Sequence, residues 1–287
     1  MAALRGRRGR SRRHQLVGIV TAGLLVALAA CGGAGAGPAE SLPSLPSGVP
    51  GPWHLVFGDG FTGSSLDTGK WATCYDWNVN GCTNASNNEQ EWYLPGQVTV
   101  GGGALQLTAR RQATTGGDGH TYPWTSGMVT TGRDSWNATP RHTFTYGYVA
   151  AAIRIPAEAG MFPAFWLLPA AHDVPQEIDI AEFIGSTQNV QMTLHWQPPN
   201  GSREFQRQGW GPVDFPSAVH VFAVDWEPNS VTWYVDGVER FRISDPSKVP
   251  QLPMEVILNL AVGYPSAPPS GVNHAVMTVD WVGVWQH

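Results

Sequence analysis

The chain has 287 residues, with 17 Lys or Arg against 22 Asp or Glu and a formal net charge of −5. Clustered Lys/Arg, the footprint of nucleic-acid binding, is missing from its body. The nine scattered histidines show neither HExxH nor paired spacing, so no zinc motif is present.

Residues 1–15 carry Arg5, Arg7, Arg8, Arg10, Arg12 and Arg13, and an apolar run from Leu16 to Ala30 ends at Cys31. A basic stretch followed by a short apolar one reads as a secretory signal over 1–31. The run is shorter than the roughly 20 residues that a bilayer-spanning helix needs. "LAAC" (28–31) resembles the bacterial lipobox, which implies lipidation of Cys31 and export to the outer face of the cell membrane, or secretion. "SRRHQLV" (11–17) partly resembles a twin-arginine signal. Cleavage after 30 or 31 removes six basic residues and no acid, so the remainder carries a net −11. That balance suits a neutral polymer better than a sulfated one.

Residues 32–52, "GGAGAGPAESLPSLPSGVPGP", have too little apolar surface to form a core and read as a tether. Residues 53–287 then form one domain, within the range of all-β folds. Cys74 and Cys82 bracket a short polar loop, and no Cys or His between them supplies a metal site. In an exported chain they read as a disulfide.

Long 3.6-residue periods are missing, and 34 Gly and 23 Pro punctuate the chain. Strand-like runs recur at 103–111, 146–156, 190–196, 220–227, 230–243, 254–262 and 275–286. Asp236-Gly237 between two such runs marks a hairpin. This spacing predicts an all-β sandwich or barrel. There is no phosphate loop and no GxSxG.

"EIDIAEFIG" (177–185) places three acids in an apolar, strand-like stretch. Glu177 and Asp179 share a face of a strand, whereas Glu182 would point away from them. One extra residue near Ile180–Ala181, a β-bulge, would bring Glu182 round to join them. Crowded carboxylates cannot all ionise freely, so at least one pKa should rise. One ionised and one protonated carboxyl at short range is what retaining glycoside cleavage requires. A calcium site or a solvated strand face are the plainer alternatives; calcium ligands usually come from Asn/Asp/Gly loops, which this segment is not.

The same stretch resembles the ExDxxE signature of glycoside hydrolase family 16, in its bulged, laminarinase/lichenase-like form. The resemblance runs from Leu55 to Gln286. It includes "LVFGDGFTG" (55–63), "NNEQEWY" (87–93), "TSGMVTT" (125–131), "MFPAFWLLP" (161–169), "TLHW" (193–196), "VILNLAVG" (256–263) and "MTVDWVGVWQ" (277–286), in the family's order. It implies a two-sheet β-jelly roll like concanavalin A, with a cleft on the concave sheet. It also implies Glu177 as nucleophile, Asp179 as its assistant and Glu182 as acid/base.

By the same resemblance Trp166 stacks on a sugar, while His195 and Asn87 bind near the acids. The family's cleft tryptophan is replaced in "NLAVGYPSAPPSG" (259–271), leaving Tyr264 as the nearest aromatic. The resemblance requires no cofactor for catalysis. It brings a structural calcium at Asp280 into view, although Gly60 stands where the family has an acid. Tyr148, Ala150 and Ala152 replace charged residues, and Met128 replaces an arginine.

The expected activity is a monomeric, endo-acting, retaining β-glycan hydrolase. Its expected substrate is β-1,3- or β-1,3-1,4-glucan, and its only membrane contact is the lipid anchor. The same site would also serve a β-galactan hydrolase or an envelope transglycosylase, and the same sandwich a non-catalytic carbohydrate-binding protein.

Overall fold

A computed structural model describes residues 41–75, 82–172, 174–199 and 201–287. The signal segment, Cys31 and residues 32–40 of the tether lie outside the described residues. Of the described residues, only three short 3₁₀ turns are helical, and no helix is long and apolar enough to cross a membrane. The frequent Gly and Pro and the β-branched, aromatic runs give strands instead.

Two antiparallel-dominated sheets carry the fold. One has six strands in the order Glu204–Trp210, Val190–Trp196, Glu177–Glu182, Met161–Pro169, Met254–Val262 and Met128–Thr130. The other has ten, with Gly147–Arg154 flanked by His220–Glu227 and His274–Gln286 near its centre. Their facing sides meet in one core. From the six-stranded sheet come Phe165, Leu167, Ile178, Leu194 and Leu258; from the ten-stranded sheet come Leu105, Leu107, Val149, Ala151 and Val224. Fully burying each large apolar side chain contributes about 1.5–3 kcal/mol. The period-two pattern therefore fixes which residues face outward. This arrangement is the all-β sandwich expected.

The outward side of the ten-stranded sheet explains an oddity of the sequence. Tyr148, Ala150 and Ala152 alternate with the core residues of their strand and lie beneath a second cluster with Trp53, Trp281 and Trp285. Residues 41–52, read as tether, lie on this face. Leu42 and Val49 pack on the cluster. Trp285 Nε1 donates to Ser44 O at 3.1 Å, and the Tyr148 hydroxyl to Ser47 O at 3.0 Å. Charged side chains at 148, 150 and 152 would be buried by this strap, so small and aromatic ones stand there instead. The Asp236-Gly237 turn joins Ser230–Val235 to Val238–Ile243 with both residues at positive φ, as a two-residue hairpin demands. Gly48 lies against Gly237, where a Cβ has no room.

Candidate active site

The carboxylate strand owes its chemistry to a register shift. Asp179 pairs with Thr193 and Glu182 with Gln191, so three steps on one strand match two on the other. On the opposite side Ala181 pairs with Phe165 and Asp179 with Trp166, leaving Ile180 as the extra residue. Ile178, Ile180, Ala181 and Phe183 all enter the inter-sheet core. Two consecutive residues facing inward is the signature of a bulge, and it leaves Glu177, Asp179 and Glu182 on the other face. The bulge expected near Ile180–Ala181 is present.

All three carboxylates line one groove of about 240 Å³. Thr193 and His195 flank them from the next strand, and His195 pairs directly with Glu177. Beyond lies the edge strand Glu204–Trp210. Its register sets Phe205 opposite His195 and Arg207 opposite Thr193, on the same face as the acids. Arg203, just before that strand, places its guanidinium on Glu177 Oε2. The other wall comes from Asn84, Ser86 and Asn87, with Phe162, Ile184 and Tyr264.

The electrostatics separate the three acids. Burial pushes the Glu182 carboxyl up to about 8, and the Glu177 charge adds to this, while Thr193 and Arg207 oppose it. Asp179, 2% exposed, is raised well above the carboxylate range by burial and then by its two acidic neighbours. Burial also raises Glu177, but the Arg203 charge and a hydrogen bond from Asp179 pull it back toward ionisation. His195 is lowered to about 4 by burial and by Arg203 and Arg207. The imidazole is therefore neutral near pH 7, and its Nε2 lies 3.1 Å from Asp179 Oδ2; with the Asp179 proton directed to Glu177, the Nε2–H tautomer is the one that completes this contact. Asp179 in turn donates to Glu177. Burial thus favours a proton on Asp179 and another on Glu182, while the Arg203 ion pair favours the negative charge on Glu177.

The other expected positions divide. Asn87 and Tyr264 border the groove, and Tyr264 packs on Phe162 with centroids 5.4 Å apart. Trp166 stands on the acids' face of the sheet but is largely covered. It pairs with Asp179 but is only 8% exposed, its Nε1 donates to Asn259 Oδ1 at 2.8 Å, and its ring meets Tyr75 edge-on. Its indole is held in a cluster with Tyr75, Tyr93 and Phe162, of which Phe162 lines the groove. The open ring beside the acids is Phe205, 52% exposed. Cys74 and Cys82 form the expected disulfide, with Cα atoms 4.9 Å apart, and the adjoining Tyr75 is buried against Trp166.

Asp280 is buried, and it belongs to no group of three or more His, Cys, Asp or Glu ligands among the described residues. Calcium takes six to eight oxygens. The neighbouring Asp59 already accepts from the main-chain N of Phe61 and from Trp71 Nε1. Main-chain carbonyls also ligate calcium, so a structural ion at Asp280 is an expectation carried by the resemblance alone, and the catalytic groove does not use it. The one such group is Glu177, Asp179 and His195, with ligand atoms within 4.8 Å of one another. There the Arg203 guanidinium already takes the place of a cation.

Arg203, Phe205 and Arg207 are not evident from the strand-like runs. "REFQRQGW" reads as polar because an exposed edge strand needs no apolar face. The period-two set Arg203, Phe205, Arg207 was the only signal available.

The family model for glycosyl hydrolases family 16 matches residues 86–283. The chain is 31% identical to a protein of Rhodothermus marinus named "Beta-glucanase", over 93% of this chain and 94% of that one. It is also 31% identical to "Endo-1,3-1,4-beta-glycanase ExsH" of Rhizobium meliloti, over 75% of this chain and 47% of the other, so it spans about half of that relative's length. The solved laminarinase of Rhodothermus marinus superposes with a TM-score of 0.69 at 26% identity, over 82% of this chain and 97% of that one. With the family model spanning the bulged strand, both groove walls and the strands behind them, the chain belongs to glycosyl hydrolases family 16.

Proposed function

We propose that this chain is an exported, endo-acting β-glycan hydrolase that cuts β-1,3- or β-1,3-1,4-glucan with retention of configuration. The observation that carries the reading is the bulge that gathers Glu177, Asp179 and Glu182 into one groove. The names of the relatives, a β-glucanase, a 1,3-1,4-β-glycanase and a laminarinase, support the substrate class.

In the first step Glu177 attacks the anomeric carbon. The bond to the leaving sugar oxygen breaks, and Glu182 gives that oxygen its proton. A carboxyl poised near 8 holds this proton at neutral pH and can still release it. Asp179 donates to Glu177 through the approach and steadies the carboxylate as its charge is spent. In the second step Glu182, now ionised, takes a proton from water. The water oxygen bonds to the anomeric carbon and Glu177 leaves. Both displacements invert, so configuration is retained. No cofactor is required for catalysis in this family.

Incubation with laminarin, lichenan, β-galactan and agarose, with products sized by chromatography, tests the reading. Internal cleavage of laminarin or lichenan is expected. Cleavage of a galactan alone would replace the substrate, and no cleavage of any polymer would leave a carbohydrate-binding protein. Lipidation at Cys31 is part of the same proposal and rests on "LAAC" after a basic, apolar leader.

A further inference from the structure

A second pair of carboxyls lies behind the groove wall, and the chemistry above does not use it. Glu89 and Glu91 alternate on one side of the "NNEQEWY" segment and are 7% and 0% exposed. Glu91 Oε2 accepts from Val262 N at 2.8 Å, and Glu89 Oε1 accepts from Asn87 Nδ2 at 3.0 Å. The remaining oxygens, Glu89 Oε2 and Glu91 Oε1, are buried and have no donor as long as both are treated as acceptors. The two carboxyls are nevertheless in hydrogen-bonding contact with each other. Two adjacent buried carboxylates with two idle oxygens would be strongly destabilising. One proton between those oxygens removes both defects.

The pair ties down the groove wall on both sides. Glu89 accepts from the main chain at Asn84 and from the Asn87 side chain, so it clamps a turn whose Asn84, Ser86 and Asn87 all border the groove. Glu91 holds Val262, two residues before Tyr264 on the same wall. The Tyr93 hydroxyl, two residues on from Glu91, accepts from Asn259 Nδ2 at 3.1 Å, and Asn259 Oδ1 accepts from the Trp166 indole. A carboxyl oxygen facing Asn87 can only accept, so the amide must turn Nδ2 inward and Oδ1 toward the groove.

We propose that Glu89 and Glu91 share a single proton and act as a positioning pair, fixing Asn87 with Oδ1 toward the groove to accept from a sugar hydroxyl. The proton sits on Glu91, which makes that residue the chemical equivalent of a glutamine. The role in binding rests on the glycan-hydrolase reading; the shared proton does not.

The test has two arms. In kinetics on the glucan that the enzyme cleaves, Glu89→Met is expected to raise KM about tenfold with kcat within about threefold, the cost of one misdirected hydrogen bond. Glu91→Met should do the same, and Glu91→Gln should restore KM. Glu91→Gln as impaired as Glu91→Met, or an unchanged KM in a folded Glu89→Met, would overturn the proposal. In infrared difference spectra of wild type against Glu91→Gln, the C=O stretch of one protonated carboxyl should disappear. No lost band would mean no shared proton. This arm stands even if no polysaccharide is cleaved, and Glu91→Gln is isosteric, so it does not depend on a disruptive variant folding.

Discussion

Asp179 and His195 meet across adjacent strands, carboxylate Oδ2 to imidazole Nε2, at 3.1 Å. The contact orders the protons of the site. A neutral His195 can give its N–H to one oxygen of Asp179, and the other end of that carboxyl is then free to donate to Glu177. Asp179→Asn keeps both contacts, since an amide can accept from His195 and donate to Glu177. We expect its fold and melting temperature to stay close to wild type. What is lost is a proton that can shift toward Glu177, and kcat should fall about 10- to 100-fold. His195→Ala should behave differently. It leaves Asp179 Oδ2 buried without a donor, at a cost of about 1–3 kcal/mol. Thermal unfolding that ranks Asp179→Asn below His195→Ala would contradict this division of roles.

The two arginines of the edge strand region should move opposite limbs of the pH profile. Arg203 favours the ionised form of Glu177, the form that attacks. Arg203→Gln should therefore shift the acid limb of kcat/KM upward. Arg207 favours ionisation of Glu182, which must hold its proton to act. Activity should fall as pH rises through about 8, and Arg207→Gln should shift that alkaline limb higher. Because the acids titrate together, the limbs report the group rather than single residues. A profile whose limbs stay fixed in both variants would show that neither arginine tunes the pair.

Removing the nucleophile and removing the acid should leave different signatures. Glu177→Ser should lower kcat by roughly 10⁴-fold or more on every substrate, as loss of a covalent catalyst does. Glu182→Ala should cost about 10²- to 10⁴-fold on polysaccharides but far less on aryl glycosides whose leaving group needs no proton. Equal losses on both substrate types would remove Glu182 from the acid role.

The Cys74–Cys82 bridge closes a short loop next to Tyr75, which packs on Trp166 and Tyr93. Chain-entropy reasoning assigns a loop of this size roughly 2–3 kcal/mol. Cys74→Ser with Cys82→Ser should lower the melting temperature and raise KM more than it lowers kcat, since Cys82 lies two residues before Asn84 of the groove wall and none of the three acids is attached to this segment. A melting temperature that does not move would mean the loop is already ordered without its bridge.

Cys31→Ala should release the exported protein from the membrane fraction. Retention in that fraction would refute the lipobox reading and leave a plain secretory signal.

Much of this protein was legible in its sequence because the relevant signals are local. Alternating apolar residues name the strands, Asp236-Gly237 names a hairpin, and the spacing of Glu177, Asp179 and Glu182 in an apolar stretch points to a bulge, with a solvated strand face or a calcium site as the alternatives. Pairing across the sheet decided the rest. Trp166 reads as a sugar platform, and only the sheets show that Tyr75 covers it and that it is tied to Asn259, 93 residues away. Arg203 and Arg207 are ordinary polar residues at and just before an edge strand until the folded sheet sets them beside Glu177 and Glu182. Glu89 and Glu91 are two acids in a polar motif until folding buries both and sets Val262 N on Glu91. Hydrophobic period reports which way a side chain points; only the assembled sheets determine what it meets there.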